Sequence, residues 1–196
     1  MKNEFLQHLK ENPIVQYAFK HLTESGLQFH GLVTCDHYRD GKLIHAQSGK
    51  NTFTTEGMAY LLNVMFGTTS KAGAAIFYVG IFKNNVTPGL TDTAAAKLGA
   101  AGSYGECQDA DYATPLTNKP AYTIASTSTA SCTNAASAAS FTIAQGITVY
   151  GAFLGKAAAK TDVSGVLMSA KKFWTARPVV SADVLAVTYV VTATTS

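Results

Sequence analysis

The sequence predicts a mainly β protein: an antiparallel β-sandwich of jelly-roll or immunoglobulin-like type, with a helical N-terminal arm and one buried helix. Three observations predict it. Short apolar or alternating runs recur from Ile76 to the C-terminus, joined by segments rich in Ser, Thr and Ala. A hairpin pattern with an Asp-Gly turn precedes them. The second half lacks the regular helix–strand alternation that a parallel sheet requires.

Residues 1–26 read as the arm. Phe5, Leu6 and Leu9 fall on one side of a short helix, and Asn12-Pro13 has the form of an N-cap followed by proline at the first helical position. Ile14, Val15, Tyr17, Ala18 and Leu22 form an apolar stripe, and Gly26 is the expected stop.

Residues 27–75 read as a hairpin plus a helix. Leu27, Phe29, Gly31, Val33 and Cys35 alternate with more polar positions, and Arg39-Asp40-Gly41-Lys42 supplies the turn into Leu43-Ile44-His45-Ala46. Thr54 or Thr55 can cap a helix from about Glu56 to Phe66. Met58, Tyr60, Leu61, Leu62, Val64, Met65 and Phe66 make that helix apolar almost all round, so burial is expected.

Residues 76–196 read as the sandwich, with 27–196 forming one folded unit. Strands are expected at 76–83, 121–126, 140–143, 148–154, 165–173 and 184–192. In the last, Leu185, Val187, Tyr189 and Val191 face one way and Ala186, Thr188 and Thr192 the other. A short Ala-rich helix is expected from Thr93 to Leu98, stopped by Gly99. Gly80, between Val79 and Ile81, and Gly151, beside Tyr150, suggest close backbone approaches within strands.

Composition narrows the function classes. The chain has 196 residues, 47% hydrophobic and only 14% charged, where soluble domains carry about 25% charged residues. A surface made largely of Ala, Ser, Thr and Gly desolvates cheaply and packs closely against other proteins. Between Lys119 and Lys156 there is neither charge nor histidine, which points to strands lying against another subunit. The net charge of +3 is too small to suggest nucleic-acid binding. No run approaches the length of a membrane-spanning helix, and Met1 to Lys10 lacks the pattern of a signal peptide. Cys35, Cys107 and Cys132 are far apart and odd in number, so free thiols in a reducing cytoplasm are expected.

No catalytic constellation, cofactor motif or metal site stands out. All five histidines lie within the first 45 residues, and no Gly-x-Ser-x-Gly elbow presents a serine. Cys35, His37 and His45 share the predicted hairpin, with His37 and His45 placed to meet across it, but the paired spacing of a zinc site is absent. Asp109 and Asp111 are close in sequence, with Glu106 nearby. Paired carboxylates can serve glycoside hydrolysis. A solvated loop, or a salt bridge to Arg177 or to a partner's lysine, is the expected role here. Arg177, before Pro178, is placed to anchor Asp183 or a neighbour's carboxylate.

A set of motifs carries a resemblance. Asn51-Thr52-Phe53-Thr54-Thr55-Glu56-Gly57, Tyr60-Leu61-Leu62, Tyr78-Val79-Gly80-Ile81-Phe82, Thr87-Pro88 and Thr91-Asp92-Thr93-Ala94 occur in order. Glu106, Tyr112, Ser140-Phe141-Thr142, Tyr150-Gly151-Ala152-Phe153-Leu154, Ser164-Gly165-Val166-Leu167, Ala176-Arg177-Pro178-Val179 and Asp183-Val184-Leu185 follow. From about Gly31 to the C-terminus the chain resembles structural proteins of tailed-bacteriophage virions. The resemblance implies a β-sandwich decoration (cement) protein of the capsid, or a tail, neck or fibre-attachment component, with no catalytic residues. It implies localisation in the virion after synthesis in the host cytoplasm. The expected partners are the major capsid protein or other virion proteins, with homo-oligomers in the particle and neither nucleic acid nor membrane. The residues expected at interfaces are Ile14, Tyr17, Phe29, Tyr122, Phe141, Tyr150 and Arg177. A carbohydrate-binding or carbohydrate-hydrolysing sandwich, working through Tyr104, Asp109, Asp111 and Tyr112, is the alternative of another class.

Overall fold

The computed structural model describes residues 26–70, 77–124, 129–160 and 162–195. The chain divides into two compact units, Met1–Phe29 with Ala193–Ser196, and His30–Thr192. Only the start of the first strand and the end of the last are described in the former. The expected helices of the arm, with Ile14 and Tyr17, lie outside the described residues.

The second unit is a mainly β, antiparallel sandwich. Its elements are β1 (Leu27–Arg39), β2 (Lys42–Lys50), β3 (Thr52–Phe53), α1 (Thr55–Phe66) and β4 (Tyr78–Phe82), then α2 (Ala94–Lys97), β5 (Tyr112–Thr114), β6 (Ser131–Thr133), β7 (Ala139–Ile143), β8 (Ile147–Gly155), β9 (Leu167–Val179) and β10 (Val184–Thr195). One sheet has the order β2-β1-β10-β7-β5, with β6 also paired to β10; the other is β3-β9-β8-β4.

The β1–β2 hairpin turns at Asp40 and Gly41, with φ of 50° and 73°. Both values lie in the left-handed region that an Asp-Gly pair tolerates. On β10, Leu185, Val187 and Tyr189 are buried as their alternation predicts, while Val191 is half-buried. Between β6 and β7 the edge beside β10 breaks into a short 3-10 turn, Ala135–Ser137. The buried Asn134 mends the break. Its side-chain amide donates to the Val187 carbonyl and accepts from the Tyr189 amide, replacing two ladder bonds. The segment expected as a strand at 121–126 makes only an isolated bridge, Tyr78 to Ala121, within its described part.

Side chains of the four-stranded sheet alternate between two clusters. Val79, Ile81, Ala152 and Leu154 pack into the space between the sheets, together with Phe141, Leu185, Val187 and Tyr189. Phe82, Phe153, Leu167 and Ala170 point the other way. There Ala94, Leu98 and Tyr104, from the excursion that joins β4 to β5, cover them. This sheet is therefore buried on both faces over most of β4 and β8 and the start of β9 (Leu167–Ala170), and β8 reads as a nearly continuous apolar run. The charge-free stretch from Lys119 to Lys156 corrects an expectation here. Much of it is the interior of this chain, because β7 and β8 lie in it.

Two glycines on adjacent strands make the outer cluster possible. Gly80 is the cross-strand partner of Phe153, and Gly151 that of Phe82. A Cβ at Gly80 would stand 2.1 Å from the Phe153 ring, and one at Gly151 2.2 Å from both the Phe82 ring and the Lys171 carbonyl. Each glycine is covered by the opposing aromatic ring, which is the close approach anticipated from the sequence.

The run 51–57 docks on β9. Asn51 Nδ2 donates to Ser169 Oγ at 2.9 Å, the Thr54 amide to the Met168 carbonyl at 3.1 Å, and the Thr54 hydroxyl to the Leu167 carbonyl. That hydroxyl also caps α1 by accepting from the Gly57 amide. Glu56 Oε2 accepts from the amides of Leu167 (2.7 Å) and Ala94 (2.9 Å), tying α1, β9 and the start of α2 together. Helix α1 itself is not buried all round. Gly57 and Tyr60 are buried, but Leu62, Met65 and Phe66 are exposed, Phe66 at 78%. The helix lies along β9 on one side only, so its other apolar positions remain outward.

Gly57 sets that approach: a Cβ there would lie 2.6 Å from the Met168 backbone. Alanine gains about 1 kcal/mol of helix propensity, but strand backbone cannot yield as a side chain would, and overpacking costs about 1–3 kcal/mol. Gly57→Ala is therefore expected to lower the urea unfolding midpoint, with β structure retained by circular dichroism at low urea.

Candidate functional site

Several charged groups are spent inside the molecule. Glu106 and Lys119 form a salt bridge of 3.0 Å with both side chains 1% exposed. The other Glu106 oxygen accepts from the Gly99 amide at 2.7 Å, and Lys119 also donates to the Ala159 carbonyl. Burial pushes the Glu106 carboxyl above its ordinary value, against the pull of the Lys119 ammonium and the Gly99 amide. Lys83 holds both oxygens of Asp111 at 2.9 and 2.7 Å, and Gln108 N and Gln145 Nε2 complete its shell. Despite burial, these partners keep Asp111 below the usual carboxylate range. Buried Lys160 pairs with the exposed Asp109 at 2.8 Å, donates to the Tyr112 carbonyl and lies 3.9 Å over the Tyr112 ring.

These pairs answer the questions raised by the Asp109–Asp111 segment. Its partners are Lys160 and Lys83, not Arg177. Tyr104 and Tyr112, the aromatics offered for sugar stacking, are 0% and 1% exposed, and Asp111 is 1% exposed. Tyr104 spends its hydroxyl on Asp92 at 2.7 Å. The four residues therefore line no cleft. Of the residues expected at interfaces, Tyr122 and Phe141 are core residues. Their alternation places them inward, a strand-face assignment that only the pairing register fixes. Phe29 and Tyr150 are half-buried, Tyr150 against the outer cluster.

A second set of polar groups closes one side of the sandwich. Strand β2 is the edge of its sheet, and its inward residues meet β9 of the other sheet in sequence. Gln47 donates from Nε2 to the Thr175 carbonyl (3.0 Å) and accepts at Oε1 from the Thr175 amide (3.1 Å). An amide side chain thus takes the place of a ladder partner. At one end of this seam Gly49 lies beneath Lys171 and Trp174. At the other, Arg177 and His45 stand beside His37.

His37 is fully buried. Its Nε2 lies 2.8 Å from Asp183 Oδ2 and its Nδ1 3.1 Å from Arg177 Nη2. A guanidinium only donates, so Nδ1 is the acceptor nitrogen and Nε2 carries the hydrogen given to Asp183. The Asp–His pair looks like part of an acyl-transfer triad, but the nitrogen that would take a nucleophile's proton is occupied by Arg177. The guanidinium expected at Asp183 is Arg177; the structure puts Arg39 there, through Nε and Nη2, both at 2.8 Å. The Val180 amide adds a bond at 2.9 Å. His37 and His45 are cross-strand partners as the hairpin predicts, yet His37 is turned inward to Asp183. Among the described residues no three His, Cys, Asp or Glu side chains come together as a metal site. Cys35 is free and buried, and burial with nearby Asp36 pushes its thiol up to about 12.

The remaining broad surface is the outer face of the six-stranded sheet. Thr34 and Asp36 of β1, Ala46 and Ser48 of β2, Ala186 and Thr188 of β10 and Ser140 and Thr142 of β7 lie on it, exposed or half-buried. The cross-strand pairs Thr34–Ser48, Asp36–Ala46 and Ala186–Ser140 fix the alignment. Along these ladders the charged residues are Asp36 and Lys50, with the exposed Arg39 and Lys42 at the turn end of the hairpin. The signal in the sequence was the alternation of β10, whose outward positions are Ala and Thr.

Compared with known protein families, curated proteins and solved structures, the chain matches none. Among the described residues no helix is long and apolar enough to cross a membrane.

Three outcomes follow from these charges. Lys119→Met leaves Glu106 buried without its cation and is expected to cost about 3–5 kcal/mol, while Lys119→Met with Glu106→Leu recovers most of it; a urea-denaturation cycle measures both. At His45, burial foremost, then Arg177 and His37, hold the imidazole below its ordinary 6.5. The unfolded chain then binds that proton more readily than the fold, so melting temperature should fall as pH drops below about 6.5, and His45→Gln should flatten this decline. The Arg39 fork, aided by the Val180 amide and His37, outweighs burial and holds Asp183 far below its ordinary 3.8. Its contribution is complete above that value and lost as pH falls through the folded one. Asp183→Asn should therefore lower the melting temperature at pH 7 and flatten the acid limb below 4.

Proposed function

We propose that this chain is a structural protein of a tailed-phage virion that acts by adhesion, as a decoration (cement) protein on the capsid. The observation that carries the reading is the outer face of the six-stranded sheet: a wide, rigid surface of Thr, Ser, Ala and Val with few charges. A neutral, small-residue face loses little on desolvation and can approach a flat neighbour closely. The burial of Lys119, Lys160, Glu106 and Asp111 supports it, since these four charges are withdrawn from the outside. The order of motifs resembling virion structural proteins supports it as well. Repetition on a lattice makes modest single contacts avid.

Mass spectrometry of purified particles should find the chain in hundreds of copies, as closed-shell symmetry implies. A copy number of about a dozen would move it to a neck ring or tail. Particles lacking it should release their genome at lower temperature. The variant Ala46→Glu with Thr188→Glu places carboxylates on the sheet face without touching the core, and should fold yet fail to join particles. Equal incorporation of this variant sinks the assignment of that face.

A further inference from the structure

Trp174 occupies an unusual position. It is the single tryptophan of the chain, and it is 79% exposed. It sits on a bulge: Val149 pairs with Arg177 and Gly151 with Lys172, so four residues of β9, 173–176, stand opposite the single residue Tyr150. A bulge of this kind bends a strand and re-aims its side chains. Phe173 goes into the core while Trp174 goes out. The apex is held in place, because Gln47 bonds both the amide and the carbonyl of Thr175. The indole is rigidly presented on a clamped strand.

A lysine lies against the indole. Lys171 Nζ lies 4.6 Å from the Trp174 ring centroid. It has no carboxylate partner among the described residues, and burial holds its pKa below the ordinary lysine value. The two strands of the seam, β2 and β9, contain Lys42, Lys50, Lys171, Lys172 and Arg177 and no Asp or Glu. Elsewhere in the molecule buried lysines are matched to carboxylates, as Lys119 is to Glu106 and Lys160 to Asp109. Lys171 is half-buried, as are Lys156 and Lys172, and it is the one of the three that lies over an exposed aromatic ring.

We propose that the β9 bulge is a docking anchor for an acidic protein surface, in which Trp174 enters an apolar pocket rimmed by carboxylates and Lys171 meets one of them. The inference rests on the reading that the chain works by binding neighbouring proteins, and it adds the chemistry of one contact. A protein surface fits better than a nucleic-acid strand. Single-strand binding uses successive aromatic platforms along a basic groove, whereas here one indole stands alone with one face under Lys171. A single rigid tryptophan ringed by polar groups has the form of an interface hot spot.

Because Trp174 is the only indole, its fluorescence and its oxidation by N-bromosuccinimide report on this site alone. Poly-L-glutamate added to the intact chain should shift Trp174 emission saturably, and salt raised to about 0.5 M should abolish the shift. Lys171→Glu should weaken that binding by about tenfold or more. In particles containing the chain, Trp174 should resist oxidation that modifies it readily in the free protein. Equal oxidation in both states, or tighter binding of oligo-dT than of poly-L-glutamate, overturns the proposal. A chain absent from particles would refute the virion assignment and leave the poly-L-glutamate titration to judge the anchor by itself.

Discussion

Burial of the four-stranded sheet on both faces is the constraint from which the rest of the molecule follows. Where this sheet is covered on both faces it carries no charge: β8 has none, and the charges of β9 begin at Lys171, where the buried run Leu167–Ala170 ends. The sheet also needs a cover on the side away from its partner sheet. The excursion between β4 and β5 provides one through Ala94, Leu98 and Tyr104. A cover made largely of loop must satisfy its own backbone and hold its position. Asp92, Glu106, Asp111, Lys119 and Lys160 do this by reaching amides, carbonyls and one another. The buried ionic groups of a charge-poor chain are thus gathered where irregular structure meets the sheet.

Side-chain amides play a matching part where the ladders fail. Asn134 bridges the break between β6 and β7, and Gln47 joins the edge of one sheet to the bulged strand of the other. Both act as substitutes for a missing stretch of strand. The Gln47 seam ends in the network of Arg39, Asp183, His37 and Arg177, which ties β1, β10 and β9 together at one side of the sandwich. Acid acts on this seam at His45 and at Asp183, and on the loop cover at Asp111. The seam is also the part that presents Trp174.

Periodicity exposed the strands because half-buried strands alternate, and β10 and the β1–β2 hairpin follow that rule. The Asp-Gly turn and the cap at Thr54 were readable because their chemistry is local. The outer cluster was not. Phe82, Tyr104 and Phe153 are far apart in sequence, and nothing local distinguishes a sheet covered on one face from a sheet covered on both. The charge-free stretch was visible, but its cause was not: depletion by intramolecular burial and depletion by an interface leave the same trace. The pairing of Glu106 with Lys119 could not be read, because a buried ion pair has no sequence period.

The sequence by itself determined the antiparallel β class, the turns and caps, the close approaches at Gly80 and Gly151, and the scarcity of charge. These depend on residues within a few positions of one another, or on composition alone. Only the tertiary structure decided which lysine neutralises which carboxylate, that Arg39 rather than Arg177 grips Asp183, and that the chain's single tryptophan points outward. Those contacts join residues from 13 to 144 positions apart, beyond the reach of any local pattern, and on the strands a shift of one residue in register would turn each side chain to the opposite face.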